Sequence, residues 1–326
     1  MDPRSMHVGD AVSAIFLVAE AKRAVDRRGQ DYYSLVLNCP GGARVDAKVW
    51  ADNIGEPIEA GKGIDALARV DEYLGNIQLN LQRYRILSPQ DFKASDYVRC
   101  TEIDVNEAFE TMFNWRRSEF KSASFKKLML EFYGAESFSR EFKLAPGASK
   151  HHHNYQGGLI EHTLDVWKLA DRLCEHYAGR FDRDLLMCGA ALHDIGKVKS
   201  YSLAAGVSEQ TDTGHLLNHV FVSASMVSNV WDRAVGQEGK GKGGEAAARD
   251  KMLLVHIVLS HHGRLEWGAP VLPQIPEAIL LHYCDQMSAS IWSSFEAIAT
   301  RPKGENWTDW LAIMDERRRI FVPPED

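Results

Sequence analysis

His193-Asp194-Ile195-Gly196-Lys197 directly follows an apolar run from Leu185 to Leu192, which predicts a helix that ends at this pentapeptide. A histidine beside an aspartate at such an end needs polar partners if buried, and a divalent metal suits both. Gly196 lets the backbone pass close to a ligand, and Lys197 offers a positive charge to a phosphate. The alternative interpretation is an ordinary helix C-terminus with a dipole-favoured histidine and a glycine cap.

Candidate ligands recur along the chain, each on or beside a segment with helical apolar periodicity. They stand in four further segments: His151-His152-His153-Asn154-Tyr155-Gln156-Gly157-Gly158-Leu159-Ile160-Glu161-His162-Thr163, His219, His261-His262-Gly263, and His282-Tyr283-Cys284-Asp285. A single histidine is more often a core or surface group than a ligand. Several distant motifs of one kind, however, favour a shared metal site.

This layout resembles the HD-domain metal-dependent phosphohydrolases. In detail it resembles one branch, the YhaM-like 3′–5′ exoribonucleases. The matching stretches are His151 to Thr163, His193 to Lys197, Ser260 to Gly263, Gly268 to Leu272, and Leu280 to Asp285. The resemblance implies an N-terminal OB domain followed by an all-α HD domain.

The resemblance also implies the roles of the ligands. Asp194 is the catalytic bridge between two divalent ions, and His162, His193 and Asp285 complete one site with it. His219, with His261 or His262, forms the second site, and the order of that pair is left open. Mixed imidazole and carboxylate ligands fit Mn, Fe, Zn or Co without selecting among them, and Mg is a further candidate.

Several residues near these motifs are candidates for contact with the substrate. Lys197 is expected to contact a phosphate. The others are expected at the rim of the site: His151, His152, His153, Tyr155 and Arg264. An internal histidine tag is the alternative for the three adjacent histidines. Family members often carry more carboxylates after the equivalent of Asp285, where this chain has Gln286 and Ser288.

The N-terminal part, 1–90, reads as five short strands separated by glycine-containing turns, which suits a small OB-like barrel. Exposed aromatic side chains on such a barrel stack against bases. The candidates are Tyr33, Trp50, Tyr73 and Tyr84, with Arg44, Lys48, Arg69, Arg83 and Arg85 near phosphates. The alternative for each aromatic is a place inside the barrel.

The remaining chain is expected to be helical. A connector over 91–150 contains two predicted helices, Asn106 to Phe120 and Ser124 to Tyr133. The HD domain over 151–326 is expected to be helical from about residue 157, with Trp307 to Ile320 packing the C-terminus, and Gly206 and Gly214 are expected to flank a short hairpin.

Composition limits the function. The formal net charge is −7, and the acidic excess lies in 151–326, so no broad basic patch predicts tight, salt-resistant binding of long nucleic acid. The five cysteines are scattered without CxxC spacing, which favours reduced thiols. No apolar signal segment or bilayer-spanning run stands in the sequence, so a cytoplasmic protein without a membrane partner is expected.

The sequence therefore predicts a metal-dependent 3′–5′ exonuclease that acts on single-stranded RNA, with single-stranded DNA as a further candidate. One alternative is a phosphohydrolase of cyclic or short oligonucleotides. Another, of a different class, is an inactive HD scaffold whose OB module binds nucleic acid. Formation of a homo-oligomer is left open.

Overall fold

A computed structural model describes residues 3–73, 75–148, 153–204, 207–236, 242–301, 304–313 and 316–324. The chain divides into two compact units. The first is Met1–Cys100 with Leu203–Glu209, and the second is Thr101–Ser202 with Gln210–Asp326.

The first unit is a closed five-stranded barrel. Its strands are β1 (Ala11–Val25), β2 (Asp31–Asn38), β3 (Arg44–Trp50), β4 (Gly63–Tyr73) and β5 (Asn76–Ile86). The order around the barrel is β1-β2-β3-β5-β4, with β4 returning to β1. The β3–β5 pair is parallel and the other pairs are antiparallel. This is the OB-like barrel that the sequence predicts.

Alternating side chains close the barrel around an apolar core. Along β3, Val45, Ala47 and Val49 are buried while Asp46 and Trp50 lie outside. Because successive side chains on a strand point to opposite faces, this alternation leaves one outward face for polar and aromatic groups.

The second unit is mainly helical. Its helices are α1 (Val105–Glu119), α2 (Ala123–Gly134), α3 (Glu136–Leu144), α4 (Gly158–His176), α5 (Arg183–Leu192), α6 (Lys197–Ser200), α7 (Asp212–Leu217), α8 (His219–Ala234), α9 (Lys242–Ser260) and α10 (Pro276–Thr300). Several of these helices are capped at their N-termini by side chains that accept hydrogen bonds from backbone N–H groups. Asp104 accepts hydrogen bonds from two backbone N–H groups of α1, and Asp182 accepts one from Leu185 of α5.

Helices from the predicted connector belong to this unit's core. Phe109 of α1 and Phe125 of α2 lie in one buried cluster with Leu186 of α5, Ile257 of α9 and Leu281 of α10. The connector sequence 101–148 is therefore part of the helical unit.

Two short hairpins accompany the helices. Strands β6 (Tyr201–Ala204) and β7 (Val207–Gln210) form one, so the hairpin lies earlier in the chain than the segment from Gly206 to Gly214 expected to hold it, and Gly206 itself lies outside the described residues. The other, β8 (Leu311–Ile313) with β9 (Glu316–Arg318), stands in the C-terminal segment of the domain that is expected to be helical.

The expectation of a helical second domain does not hold for this C-terminal segment. The backbone N–H of Thr308 donates to the carbonyl of Ile320, and the N–H of Ile320 donates to the buried Thr308 hydroxyl. Pairing between these two ends of the segment favours extended strands over a helix. Within the described part of the chain, no helix has the length and apolar character needed to cross a bilayer.

The buried Asp184 carboxylate ties α2 to α5 and carries the first prediction. It accepts hydrogen bonds from the backbone N–H groups of Lys121 (2.8 Å) and Ser122 (2.6 Å). Asp184→Ala should lower the free energy of unfolding by about 2 kcal/mol, because both donors lose a charged acceptor. Urea denaturation followed by circular dichroism measures this change. The exposed control Asp309→Ala should stay within about 0.5 kcal/mol of the unmodified chain, and an equal effect of both substitutions would contradict the account.

Candidate metal centre

Five helices, with the residues that directly follow two of them, bring the predicted ligands together. The contributing elements are α4 with His162, the end of α5 with His193 and Asp194, the start of α8 with His219, the end of α9 with His261 and His262, and α10 with Asp285. All of these side chains except the partly buried His262 are buried. Charged and polar groups buried at this density need compensating partners.

The ligand atoms form two clusters. In one, His162, His193 and Asp285 each present an atom within 4.8 Å of the others. In the other, His219, His261 and His262 do the same. The structure thus brings together all seven residues that the sequence predicts as ligands.

Asp194 lies between the clusters, with one oxygen toward each. Its Oδ2 atom is 3.5 Å from His162 Nε2 and 3.4 Å from His193 Nε2. Its Oδ1 atom is 3.3 Å from His219 Nε2 and 3.5 Å from His261 Nε2. The carboxylate therefore has the placement that a bridging ligand needs.

Backbone carbonyls fix the orientation of three imidazoles. His193 Nδ1 donates to the carbonyl of Ala190 at 2.9 Å, and His261 Nδ1 donates to that of Val258 at 2.7 Å. His262 Nδ1 donates to the carbonyl of Trp267 at 2.7 Å. Because a carbonyl oxygen only accepts, each Nδ1 carries the hydrogen and each Nε2 lone pair faces the centre.

Two imidazoles of the second cluster, His219 and His262, are held in the neutral form that ligates metals. Burial lowers the pKa of His219 well below its usual value. Burial, with the neighbouring His261, lowers the pKa of His262 to about 4. Both rings are therefore uncharged near neutral pH.

His162 is held differently. Burial opposes its imidazolium, but hydrogen bonds to Asp194 and Asp285 raise the pKa of His162 to about 9. Its Nε2 atom lies 3.1 Å from Asp285 Oδ1. Binding of a metal at this ring would therefore release a proton, as is general for ligating side chains.

Two buried polar atoms support the fit to a cation. Asp194 Oδ1 and His261 Nε2 have no hydrogen-bond partner within the described ranges. Leaving a buried acceptor unsatisfied costs about 1–3 kcal/mol, and a divalent ion between these atoms would satisfy both. Imidazole nitrogens with carboxylate oxygens suit Mn, Fe, Zn or Co.

Comparison with known proteins agrees with this geometry. Residues 159–290 match the family model of the HD domain. The helical unit contains an HD domain.

The resemblance to curated proteins extends beyond the HD domain. The chain is 28% identical over 319 residues to the 3′–5′ exoribonuclease YhaM of Bacillus velezensis, covering 97% of this chain and 96% of the relative. It is 26% identical over 313 residues to the protein of that name from Bacillus licheniformis, covering 95% and 94%. The resemblance to YhaM-like exoribonucleases that the motifs indicate is thus confirmed along both units.

A solved structure also matches part of the chain. The second OB-fold domain of replication protein A from Methanococcus maripaludis covers 27% of this chain and 94% of its own, at 14% identity and a TM-score of 0.23. A TM-score of 0.23 is too low to establish a shared fold. The OB-like assignment rests on the strand order of the barrel.

Lys197 lies inside the candidate metal centre. Its Nζ atom is 2.6 Å from Asp194 Oδ2, and its side chain is 11% exposed. Burial opposes the ammonium, but the Asp194 carboxylate and other negative groups outweigh it and raise the pKa of Lys197. Lys197 is therefore a fixed cation that already compensates the central carboxylate.

His153 and Tyr155 lie behind the ligands, not at an exposed rim. The Tyr155 hydroxyl lies 2.8 Å from His153 Nδ1 and donates to Glu161 Oε2 at 2.8 Å, and Thr101 donates to the same oxygen. The His153 ring packs 5.7 Å from that of His162. The rim expectation is wrong for these two because a buried hydrogen-bond network holds them. His151 and His152 lie outside the described residues.

Three supporting groups escaped the sequence analysis as functional residues. Glu161 anchors the network behind His162, and Ser288 Oγ lies 3.3 Å from His162 Nδ1. Trp267 supplies the carbonyl that orients His262, and the predicted substrate residue Arg264 lies over its ring, 4.7 Å from the centroid. The sequence feature that pointed to these residues was their position within or beside the histidine and aspartate motifs.

The outward face of the barrel carries two of the four aromatic residues that are predicted to stack against bases. Trp50 and Tyr73 are 39% and 58% exposed, and Lys48 Nζ lies 5.3 and 4.8 Å from their ring centroids. Tyr33, by contrast, is buried in the barrel core, and the hydroxyl of Tyr84 donates to the carbonyl of Glu56. Of the four predicted aromatic residues, Trp50 and Tyr73 are the two whose rings are exposed for stacking.

Gly196 carries the prediction for this site. Its φ is −62°, so the position does not need a left-handed conformation. The need is space. An added Cβ would lie 2.4 Å from the carbonyl oxygen of His219 and 2.5 Å from the backbone nitrogen of Ser223. The Gly196 N–H donates to the Ser223 hydroxyl at 2.7 Å.

Gly196→Ala should push α8 and its ligand His219 away from the centre. The expected loss is about 1–3 kcal/mol in the free energy of unfolding, measured by urea denaturation, with weaker Mn²⁺ binding by calorimetry. Gly134→Ala is the matched control, because an added Cβ there meets nothing within 4 Å. Equal behaviour of the two variants would contradict the packing argument.

Proposed function

We propose that this protein is a metal-dependent 3′–5′ exoribonuclease. The observation that supports it is the placement of Asp194 between two ligand clusters, in a chain similar over nearly its whole length to curated exoribonucleases. Each cluster, together with Asp194, would hold one divalent ion. A divalent metal supplies Lewis acidity toward a phosphoryl oxygen and lowers the pKa of a water to about 7.

The protein's own groups have distinct roles in this proposal. His162, His193 and Asp285 would hold one ion, and His219, His261 and His262 would hold the other. The Nδ1 hydrogen bonds of His193, His261 and His262 orient these three rings before a substrate arrives. The ammonium of Lys197 would contact a substrate phosphate.

The barrel binds a single strand of RNA in this proposal. Trp50 and Tyr73 stack against bases, and Lys48 between them contacts the backbone phosphate. Stacking needs exposed base faces, so single strands are preferred over duplexes. Arg264 contacts substrate near the HD domain. The cytoplasmic location remains a prediction from the sequence.

Asp194→Ala should abolish exonuclease activity while the fold persists. The variant removes the only carboxylate that, among the described residues, approaches both clusters. The assay uses 5′-labelled RNA with Mn²⁺ and resolves products by length. A ladder shortened from the 3′ end supports the proposal, and a 3′-phosphate block tests the direction.

Two outcomes would contradict this assignment. Normal turnover by Asp194→Ala with normal metal content would refute the site. Hydrolysis of dinucleotides alone, with long RNA untouched, would replace the exonuclease with a hydrolase of short oligonucleotides. Parallel reactions on single-stranded DNA test whether that substrate is also cleaved, and circular dichroism verifies folding.

Trp50→Ala combined with Tyr73→Ala should raise KM for long RNA while sparing short substrates. Each lost base stack removes about 1–3 kcal/mol of binding, so an increase of about tenfold or more is expected. KM is measured against substrate length. Tyr177→Ala, at an exposed tyrosine of the helical unit, is the matched control. Unchanged length dependence in the double variant would refute strand binding by this face.

A further inference from the structure

His153 has an unusual backbone conformation. Its φ is +59°, and within the described part of the chain the one other positive φ outside glycine belongs to Asn218, directly before the predicted ligand His219. A positive φ is uncommon in residues with a side chain because it costs free energy. Such strain persists where the surrounding structure enforces it, and it clusters at functional sites.

Two glycines leave room for the backbone of His153. The N–H of Gly147 donates to the carbonyl of His153 at 2.7 Å. An added Cβ at Gly147 would lie 2.8 Å from the Cβ atom of His153. An added Cβ at Gly158 would lie 2.0 Å from the carbonyl oxygen of His153. Because neither glycine carries a side chain, the strained conformation fits here and is held by a hydrogen bond.

Hydrogen bonds also fix the ring of His153. Its Nδ1 atom lies 2.8 Å from the hydroxyl oxygen of Tyr155, and that hydroxyl donates its hydrogen to Glu161 Oε2. A hydroxyl carries one hydrogen, so His153 Nδ1 is the donor toward Tyr155. Thr101 donates to the same oxygen of Glu161. His153, Tyr155 and Glu161 are all buried, so the ring is held in one orientation.

The ring of His153 packs against a predicted metal ligand. Its centroid lies 5.7 Å from that of His162 and 5.0 Å from that of Trp292 on α10. The Nδ1 atom of His162 lies 3.3 Å from the hydroxyl of Ser288, whereas three other ligand rings have a backbone carbonyl within 2.9 Å. A hydroxyl rotates and either donates or accepts, so Ser288 alone does not fix the His162 ring. We infer that His153 is a positioning residue that holds the imidazole of His162 in the orientation for metal binding.

His162 occupies the most crowded point of the first cluster. Its Nε2 atom lies 3.3 Å from His193 Nε2, 3.1 Å from Asp285 Oδ1 and 3.5 Å from Asp194 Oδ2. A rotation of this ring would carry one ligand atom away from the other three. Residues that orient a ligand typically contribute about 10–100-fold to metal affinity. The inference rests on the proposed metal sites and concerns the first of them.

The first test is calorimetry of Mn²⁺ binding to Tyr155→Phe. This variant keeps the aromatic ring and removes the hydroxyl that orients His153. One of two bound equivalents should weaken about tenfold or more, and the other should keep its affinity, because carbonyls orient rings of the second cluster. The matched control is Tyr84→Phe. It removes a barrel hydroxyl that likewise accepts one hydrogen bond and donates another, and both affinities should stay unchanged.

The second test separates the ring of His153 from its backbone. His153→Gly and His153→Ala both remove the ring, but glycine adopts a positive φ without strain. The glycine variant should therefore unfold at a higher urea concentration than the alanine variant, while both bind the weakened equivalent of Mn²⁺ equally poorly. Adding Tyr155→Phe to His153→Ala should cause no further loss of affinity, because the hydroxyl acts through the ring.

Three results would overturn the inference if the unmodified chain binds two equivalents. His153→Ala could bind both with unchanged affinity, which would show that His162 needs no support from this ring. Equal weakening of both equivalents would indicate a general loss of packing. A further loss in the double variant would show that Tyr155 acts independently of His153. An unmodified chain that binds no Mn²⁺ would contradict the proposed function itself, and the inference with it.

Discussion

The buried carboxylate of Asp194 is the constraint around which the candidate metal centre is organised. A lone carboxylate at this depth would be costly to keep charged, and here several imidazoles and the Lys197 ammonium surround it. Burial alone would raise the pKa of Asp194, but Lys197 and the neighbouring histidines hold it well below its usual value. Asp194 therefore stays negatively charged, and each of its two oxygens faces one of the clusters.

Helix ends and small residues make this arrangement possible. His193 and Asp194 leave the end of α5, while His219 begins α8, so ligands project from short, well-packed segments. The absent side chain at Gly196 allows α8 to approach, and Gly189 allows α5 to pass Ile257, whose Cγ2 atom would lie 2.6 Å from an added Cβ. Backbone carbonyls then fix the rings. Packing and hydrogen bonding both serve the orientation of the same nitrogen atoms.

Sequence motifs were sufficient to find the histidines and aspartates that the structure brings together, and local patterns were sufficient to find the barrel. These residues stand in a distinctive pattern of histidine and aspartate beside apolar helices, and alternating strands reveal their buried face directly. Local sequence was insufficient where groups distant along the chain determine the burial or the secondary structure of a segment. His153 and Tyr155 look exposed in a polar segment, yet Glu161 and Thr101 hold them inside. Trp307 to Ile320 belongs to a domain expected to be helical, yet pairing across Thr308 accompanies a hairpin there. No local periodicity encodes such long-range pairings.

The central claim is that one carboxylate serves two metal ions. Electron paramagnetic resonance of the unmodified protein loaded with Mn²⁺ tests it most directly, because ions that share a bridging ligand are magnetically coupled. The account predicts two tightly bound equivalents and the broadened spectrum of a coupled pair. Two equivalents that give the six-line spectrum of isolated Mn²⁺, or saturation at a single equivalent, would contradict it.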